Sequence, residues 1–159
     1  MDTATIKKDR LRYSKNTLSS NFALLAILFN IFYFVSVYKT DAGNYFYSFT
    51  IGVSVIYNLL FMLFTFLSSE GIKKYSLHYS VLLIVIGVLQ IARVFYLPAK
   101  AHAAVITTAA GNLPVIGDAL YTRLIIFLLI SAAFAISGGV IGVIKNRILN
   151  EYTKNLSIK

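Results

Sequence analysis

The chain has no cysteine and no tryptophan among its 159 residues, and it holds only two histidines, two prolines and six acids. Without a thiol it can form no disulfide, perform no thiol catalysis, and bind no thiolate-held zinc or iron–sulfur cluster. His78 and His102 fall in connections expected on opposite sides of a membrane, so paired imidazole ligation of haem is not expected either. All six acids, Asp2, Asp9, Asp41, Glu70, Asp118 and Glu151, lie outside the long apolar stretches. That distribution supplies no paired carboxylates and no nucleophile beside a base, the usual marks of catalysis. It also leaves no carboxylate inside a span, where a proton-coupled carrier would be expected to hold one. An enzyme is not expected, and neither a cofactor nor a metal site is foreseen.

What the chain has in abundance is apolar sequence, 58% of residues, gathered into four blocks rather than alternating. The blocks cover approximately 19–38, 47–67, 79–97 and 119–144. Each supplies the roughly 20 helical residues needed to cross about 30 Å of hydrocarbon. Backbone amides find no water in lipid, and the blocks are too long and too uniform for barrel strands, so helices are required. The expected fold is all-α: a polytopic membrane protein with four transmembrane helices in an antiparallel bundle, forming one transmembrane domain. A basic N-terminal tail (1–17), an outer loop (98–118) and a basic C-terminal tail (145–159) complete it.

The net charge of +9 would point to nucleic acid in a soluble protein. Here the basic residues flank the apolar blocks, where they orient the chain and meet anionic lipid, so nucleic acid is discounted as a partner. Of the 15 Lys and Arg residues, all but Lys39, Arg93, Lys100 and Arg123 fall in 1–17, in the connection holding Lys73 and Lys74, or after Ile144. By the positive-inside rule both termini are expected in the cytoplasm, with the spans in the cell membrane. The first block is too long for an ordinary signal-peptide core and no small-x-small cleavage site follows it, so it reads as an uncleaved anchor. Richness in Ile, Asn, Lys, Tyr and Phe suggests an AT-rich bacterial genome.

Polar residues within the blocks are the candidates for function. Asn30 and Asn58 sit near the middle of the first two spans, where an asparagine pair could bond across the interface. The aromatics Phe29, Phe32, Tyr33, Phe34 and Tyr38 suit an interfacial belt. Gly87, Gln90 and Arg93 recur every three residues and share one stripe, which Leu97 continues until Pro98 breaks the helix. The loop beyond is apolar and long. It reads as a short helix at the interface or over the bundle mouth, with Leu113, Val115 and Ile116 turned toward lipid or a partner. Gln90, Arg93, Lys100, His102, Asp118 and Arg123 form the candidate site for an anion, a lipid headgroup or a partner's acid. If Arg93 and Arg123 face each other, their repulsion requires such an anion. Ser131, Ala135, Gly138 and Gly142 mark a small-residue packing face on the last span, with the partner undetermined.

Missing chemistry, an apolar loop and that small-residue face together suggest a non-catalytic subunit of a larger membrane complex, for instance an accessory to a transporter. The competing reading is a small oligomeric carrier or flippase for an anionic or lipid-linked solute, with Asn30, Asn58, Gln90 and Arg93 along its path. The expected partners are the bilayer itself and either another integral membrane protein or further copies of this chain.

Overall fold

Four helices long and apolar enough to cross a membrane dominate the computed structural model, which describes residues 6, 13–38, 45–108, 111–114 and 116–157. They are α1 (Thr17–Tyr38), α2 (Tyr45–Lys73), α3 (Leu77–Val94) and α5 (Asp118–Ser157). A short α4 (Leu97–Ala103) and a hairpin of β1 (Val105–Thr108) and β2 (Gly111–Pro114) link α3 to α5. Asp2, Lys7, Lys8, Asp9, Arg10 and Arg12 of the N-terminal tail, Lys39, Asp41, Gly43 and Asn44 of the first connection, and Val115 lie outside the described residues.

Two local departures from the sequence reading have clear causes. Helix α3 ends at Val94, earlier than Leu97, and Pro98 stands in the first turn of α4 rather than terminating α3. A proline is tolerated there because the first amides of a helix have no intrahelical partner to lose. Beyond α4 the loop is not wholly helical: Val105 pairs with Pro114 and Thr108 with Gly111 in antiparallel register. The run Val105-Ile106-Thr107-Thr108 is entirely β-branched, and such residues favour strand over helix.

Helix α5 packs against α1 and α3, and α2 closes against the same two helices. The buried faces are unusually polar. On α2 they comprise Ser54, Asn58, Phe61, Thr65, Ser68 and Ile72, a regular three- and four-residue spacing, while Ile56, Leu59, Leu63 and Phe66 are exposed. Helix α1 buries Ser20, Ala23, Ala26, Asn30 and Tyr33 in the same rhythm, with Asn16 buried just ahead of its first turn. Apolar residues outward and small or polar ones inward is the distribution that lipid favours, since helices there gain nothing by hiding leucine from hydrocarbon.

The small-residue face of α5 is satisfied inside the chain. Ser131 donates to the Ala26 carbonyl of α1 at 2.7 Å, and Ala135 joins Ala23, Ala26 and Leu83 in the core. Gly138 lies against Ser19 and Phe22 of α1, and Gly142 against Ser80 of α3. Gly139, not anticipated as a contact, approaches α3 so closely that a Cβ would stand 2.8 Å from the Ser80 carbonyl oxygen. Beside these contacts, Asn16 Oδ1 accepts from Lys145 Nζ at 2.9 Å, the Asn16 backbone N–H donates to the Lys73 carbonyl, and Ser20 bonds Ser69 at 2.6 Å. Asn146 donates to the carbonyl of Tyr75, which lies in the turn after α2 in the left-handed region at φ 57°. This end of the helices is therefore tied to the α2–α3 turn.

At the opposite end, Ile116 is 2% exposed and packs with Tyr33, Val37, Val94, Leu124 and Leu128. It faces the core, contrary to the expectation of lipid or a partner, because the hairpin folds the segment back over α1 and α5. Tyr33 likewise leaves the expected aromatic belt and is fully buried. Phe29 stacks on Phe134 of α5, and Phe29 and Phe32 both meet Phe127 in tilted ring contacts.

The close approach at Gly139 yields a prediction. Gly139→Ala forces the α3–α5 backbones apart and should destabilise the protein by roughly 1–3 kcal/mol in thermal unfolding in detergent. Gly52→Ala, where a Cβ meets nothing within 4 Å, should be neutral or stabilising by up to about 1 kcal/mol. Equal effects at the two positions would contradict the packing described.

Candidate functional site: a caged intramembrane arginine

Helix α3 carries Gln90 and Arg93 on one face, and the structure turns that face into the core: Gln90 is fully buried and Arg93 is 7% exposed. Desolvating a guanidinium is costly, by an amount that ranges from about 3 to more than 10 kcal/mol depending on how far it escapes to water. The neighbouring helices answer that cost with oxygens. Arg93 Nη1 donates to Asn58 Oδ1 at 2.8 Å and to Asn30 Oδ1 at 3.4 Å, and Nη2 donates to Ser54 Oγ at 2.8 Å. The guanidinium also lies against two tyrosine rings, 4.3 Å from the centroid of Tyr33 and 4.7 Å from that of Tyr57. Such cation–π contacts contribute about 2 kcal/mol each when desolvated.

A second layer holds the first. Gln90 Nε2 donates to Asn30 Oδ1 at 2.8 Å and lies 3.5 Å from Ser131 Oγ of α5. Asn58 Nδ2 donates to the Ser54 carbonyl at 2.8 Å, which fixes its oxygen toward Arg93. One hydrogen-bonded set thus touches all four long helices. Asn30 Nδ2 and Gln90 Oε1 remain buried without a hydrogen-bond partner.

Asn30 and Asn58 were expected to bond each other; instead they meet through Arg93, because one guanidinium fork can satisfy both carbonyls at once. In sequence Arg93 stands about one turn before the break at Leu97-Pro98. Its contacts reach Asn30, eight residues from the end of α1, about 12 Å along the axis. Arg123 does not face it: that side chain is exposed on α5, so no repulsion between the two arginines arises. The remaining candidates form a separate group near the hairpin. His102 bonds Asp118 at 2.8 Å and stacks on Tyr121 at 4.3 Å, and the Lys100 ammonium sits 4.3 Å over the Tyr96 ring. Asp118 is 96% exposed, which leaves this pair well hydrated. The six-residue cluster therefore divides into a buried pair, an exposed cap and a lone surface arginine.

Ser54, Tyr33 and Tyr57 were missed from sequence. Ser54 could have been found, since it lies one turn from Asn58 on the same α2 stripe.

The cage has an open side. A cleft of about 240 Å³ lies between α2 and α3, lined by Val53, Ser54 and Tyr57 on one wall and Leu89, Ala92 and Arg93 on the other, with Tyr96 at one edge. Val53 and Leu89 in this lining are each about half exposed. No group of His, Cys, Asp and Glu suited to a metal occurs among the described residues. Comparison with protein-family models, curated proteins and solved structures found no match, so the site is interpreted on its chemistry alone.

Asn58→Leu removes the best acceptor from a buried cation and should cost about 1–3 kcal/mol of stability. Arg123→Gln, on the exposed face of α5, should stay within about 0.5 kcal/mol. Thermal unfolding in one detergent compares them directly, and a neutral Asn58→Leu would show that the cage does not support the fold.

Proposed function

We propose that the protein is a small, non-enzymatic membrane carrier that takes an anionic solute, free or lipid-linked, at Arg93. The observation that carries this reading is the position of one guanidinium, buried among Asn30, Ser54, Asn58 and two tyrosines, at the wall of a cleft. A charge used only for anchoring would reach the headgroup region, whereas a charge held in the core serves binding or conduction. In the membrane the four spans would form an antiparallel bundle with both termini in the cytoplasm, as the distribution of Lys and Arg favours. The α4–hairpin cap would then lie on the outer side.

An accessory-subunit role loses two of its supports. Gly138 and Gly142 are occupied by α1 and α3, and Ile116 is buried in the core, so neither is left to recruit a partner. Two measurements separate the readings. In proteoliposomes, Arg93→Ala should reduce transbilayer movement of a fluorescent anionic phospholipid, or of inorganic phosphate, to the level of empty vesicles; unchanged movement of whichever solute the wild type carries would sink the carrier. Extraction of native membranes in mild detergent should give the chain alone or with copies of itself, and a stable heterologous partner would restore the accessory role.

A further inference from the structure

We infer that the inner half of the solute's route runs between α1 and α2, past the hydroxyls of Thr65 and Ser68, and that the hydrogen-bonded pair Ser20 and Ser69 closes it. This rests on the carrier reading, since a carrier must open its binding site to water on the far side as well. Thr65, Ser68, Ser69 and Ser20 are all buried, and Thr65 Oγ1 and Ser68 Oγ have no hydrogen-bond partner. A helical serine or threonine ordinarily bonds a carbonyl one turn back, as Ser36 does with Phe32 and Ser80 with Ser76. A buried hydroxyl that finds no acceptor is costly, and alanine would fill either place without that cost. Both groups can donate, and the acceptor they lack is an anion in transit or the water that accompanies it. Their position fits a route. Thr65 stands one turn before Ser69 on the same face of α2, and Ser69 meets α1, with its Oγ 2.6 Å from Ser20 Oγ and 3.4 Å from the Ser20 carbonyl oxygen. Toward the cage, Thr65 lies about 10 Å along α2 from Asn58, with Phe61 buried between them. The two polar stations are thus divided by an aromatic ring instead of joined in a pore, which keeps a carrier from leaking. The seam is also one that can part. Helix α5 meets α1 and α3 through Gly138, Gly139 and Gly142, whereas α1 and α2 are joined at this end by the serine pair and by the bond from the Asn16 N–H to the Lys73 carbonyl. Water can replace bonds of that kind at small net cost, and opening the seam would also satisfy Thr65 and Ser68.

The absence of cysteine makes the test direct, since an introduced thiol is the only one in the chain. Thr65→Cys and Ser68→Cys, each alone in the full-length protein, are reconstituted in phosphatidylcholine vesicles and treated from outside with a membrane-impermeant, sulfonate-bearing methanethiosulfonate. Asn155→Cys, exposed near the end of α5, measures the share of molecules whose inner end faces the reagent. Ala135→Cys, in the core where α5 packs, is the buried reference. Within that share, Thr65→Cys and Ser68→Cys should react at least about tenfold faster than Ala135→Cys, because only their seam opens to water. Adding Ser20→Ala, which removes the closing bond, should speed both reactions severalfold and leave Ala135→Cys unchanged. Ser68→Cys guards against a Thr65 variant that fails to fold. Reaction at both positions no faster than at Ala135→Cys, or rates that Ser20→Ala does not change, overturns the inference. Equally fast reaction at all three positions overturns it too, since the bundle would then be loosening everywhere. None of these outcomes alters the effect of Arg93→Ala on transport, so failure of the route and failure of the carrier reading are read separately.

Discussion

A guanidinium in a medium of low dielectric must be met by oxygens in the directions its hydrogens point, and this requirement organises one end of the bundle. Asn30, Ser54, Asn58 and Gln90 stand on three different helices, and each reaches the Arg93 set only if its helix is rotated to one angle. Greasy packing tolerates small rotations, because one leucine against lipid is much like another. A fork of directed bonds does not. The arginine therefore serves as an alignment device whatever else it binds, and the apolar surface outside is free to vary as long as it stays apolar.

The other end is set by closeness instead of direction. Gly139 and Gly142 let α5 settle onto Ser80, and Ser131 bonds the Ala26 carbonyl, so α5 lies tightly against both α1 and α3. The bonds of Asn16 and Asn146 to the α2–α3 turn hold that arrangement from below the spans. Helix α2 meets α3 through a glycine beside their turn, where Gly71 lies against the Tyr79 ring. Near Arg93 the two are joined through long side chains, and that is where the cleft lies. The tight seam and the open seam are two consequences of where the sequence places small residues.

The four spans were legible because 20-residue apolar blocks have few other uses, and the polar candidates Asn30, Asn58, Gln90 and Arg93 stood out as costly residues in lipid. Their convergence on one point was not legible. Spacing along one helix tells which residues share a face, but which face meets which neighbour depends on how four helices rotate together. Arg123 illustrates the limit: in sequence it mirrors Arg93 across the loop, yet the phase of α5 turns it outward. The hairpin was missed for a different reason. The β-branched run 105–108 carried the signal, but a loop between apolar spans draws attention to its hydropathy and away from its strand preference. Tyr33 was hidden by a good rule, since aromatics near span ends usually belong to the interface, whereas Tyr57, in the middle of its block, looked like any other apolar-face aromatic.

The chemistry of the cage also constrains what it can hold. Amide and hydroxyl oxygens of Asn30, Ser54 and Asn58 and the rings of Tyr33 and Tyr57 meet the guanidinium without adding a formal charge of their own. The neighbouring cleft is lined largely by apolar side chains, and charges in such a setting are weakly screened. Under the carrier reading proposed above, a cation reaching Arg93 would be repelled, and a neutral polar group would surrender its hydration for little return. An anion would lose hydration too, but would regain a charge-assisted bond in a setting where such bonds are strongest. The same walls that make the arginine costly would then be what makes it selective for negative charge.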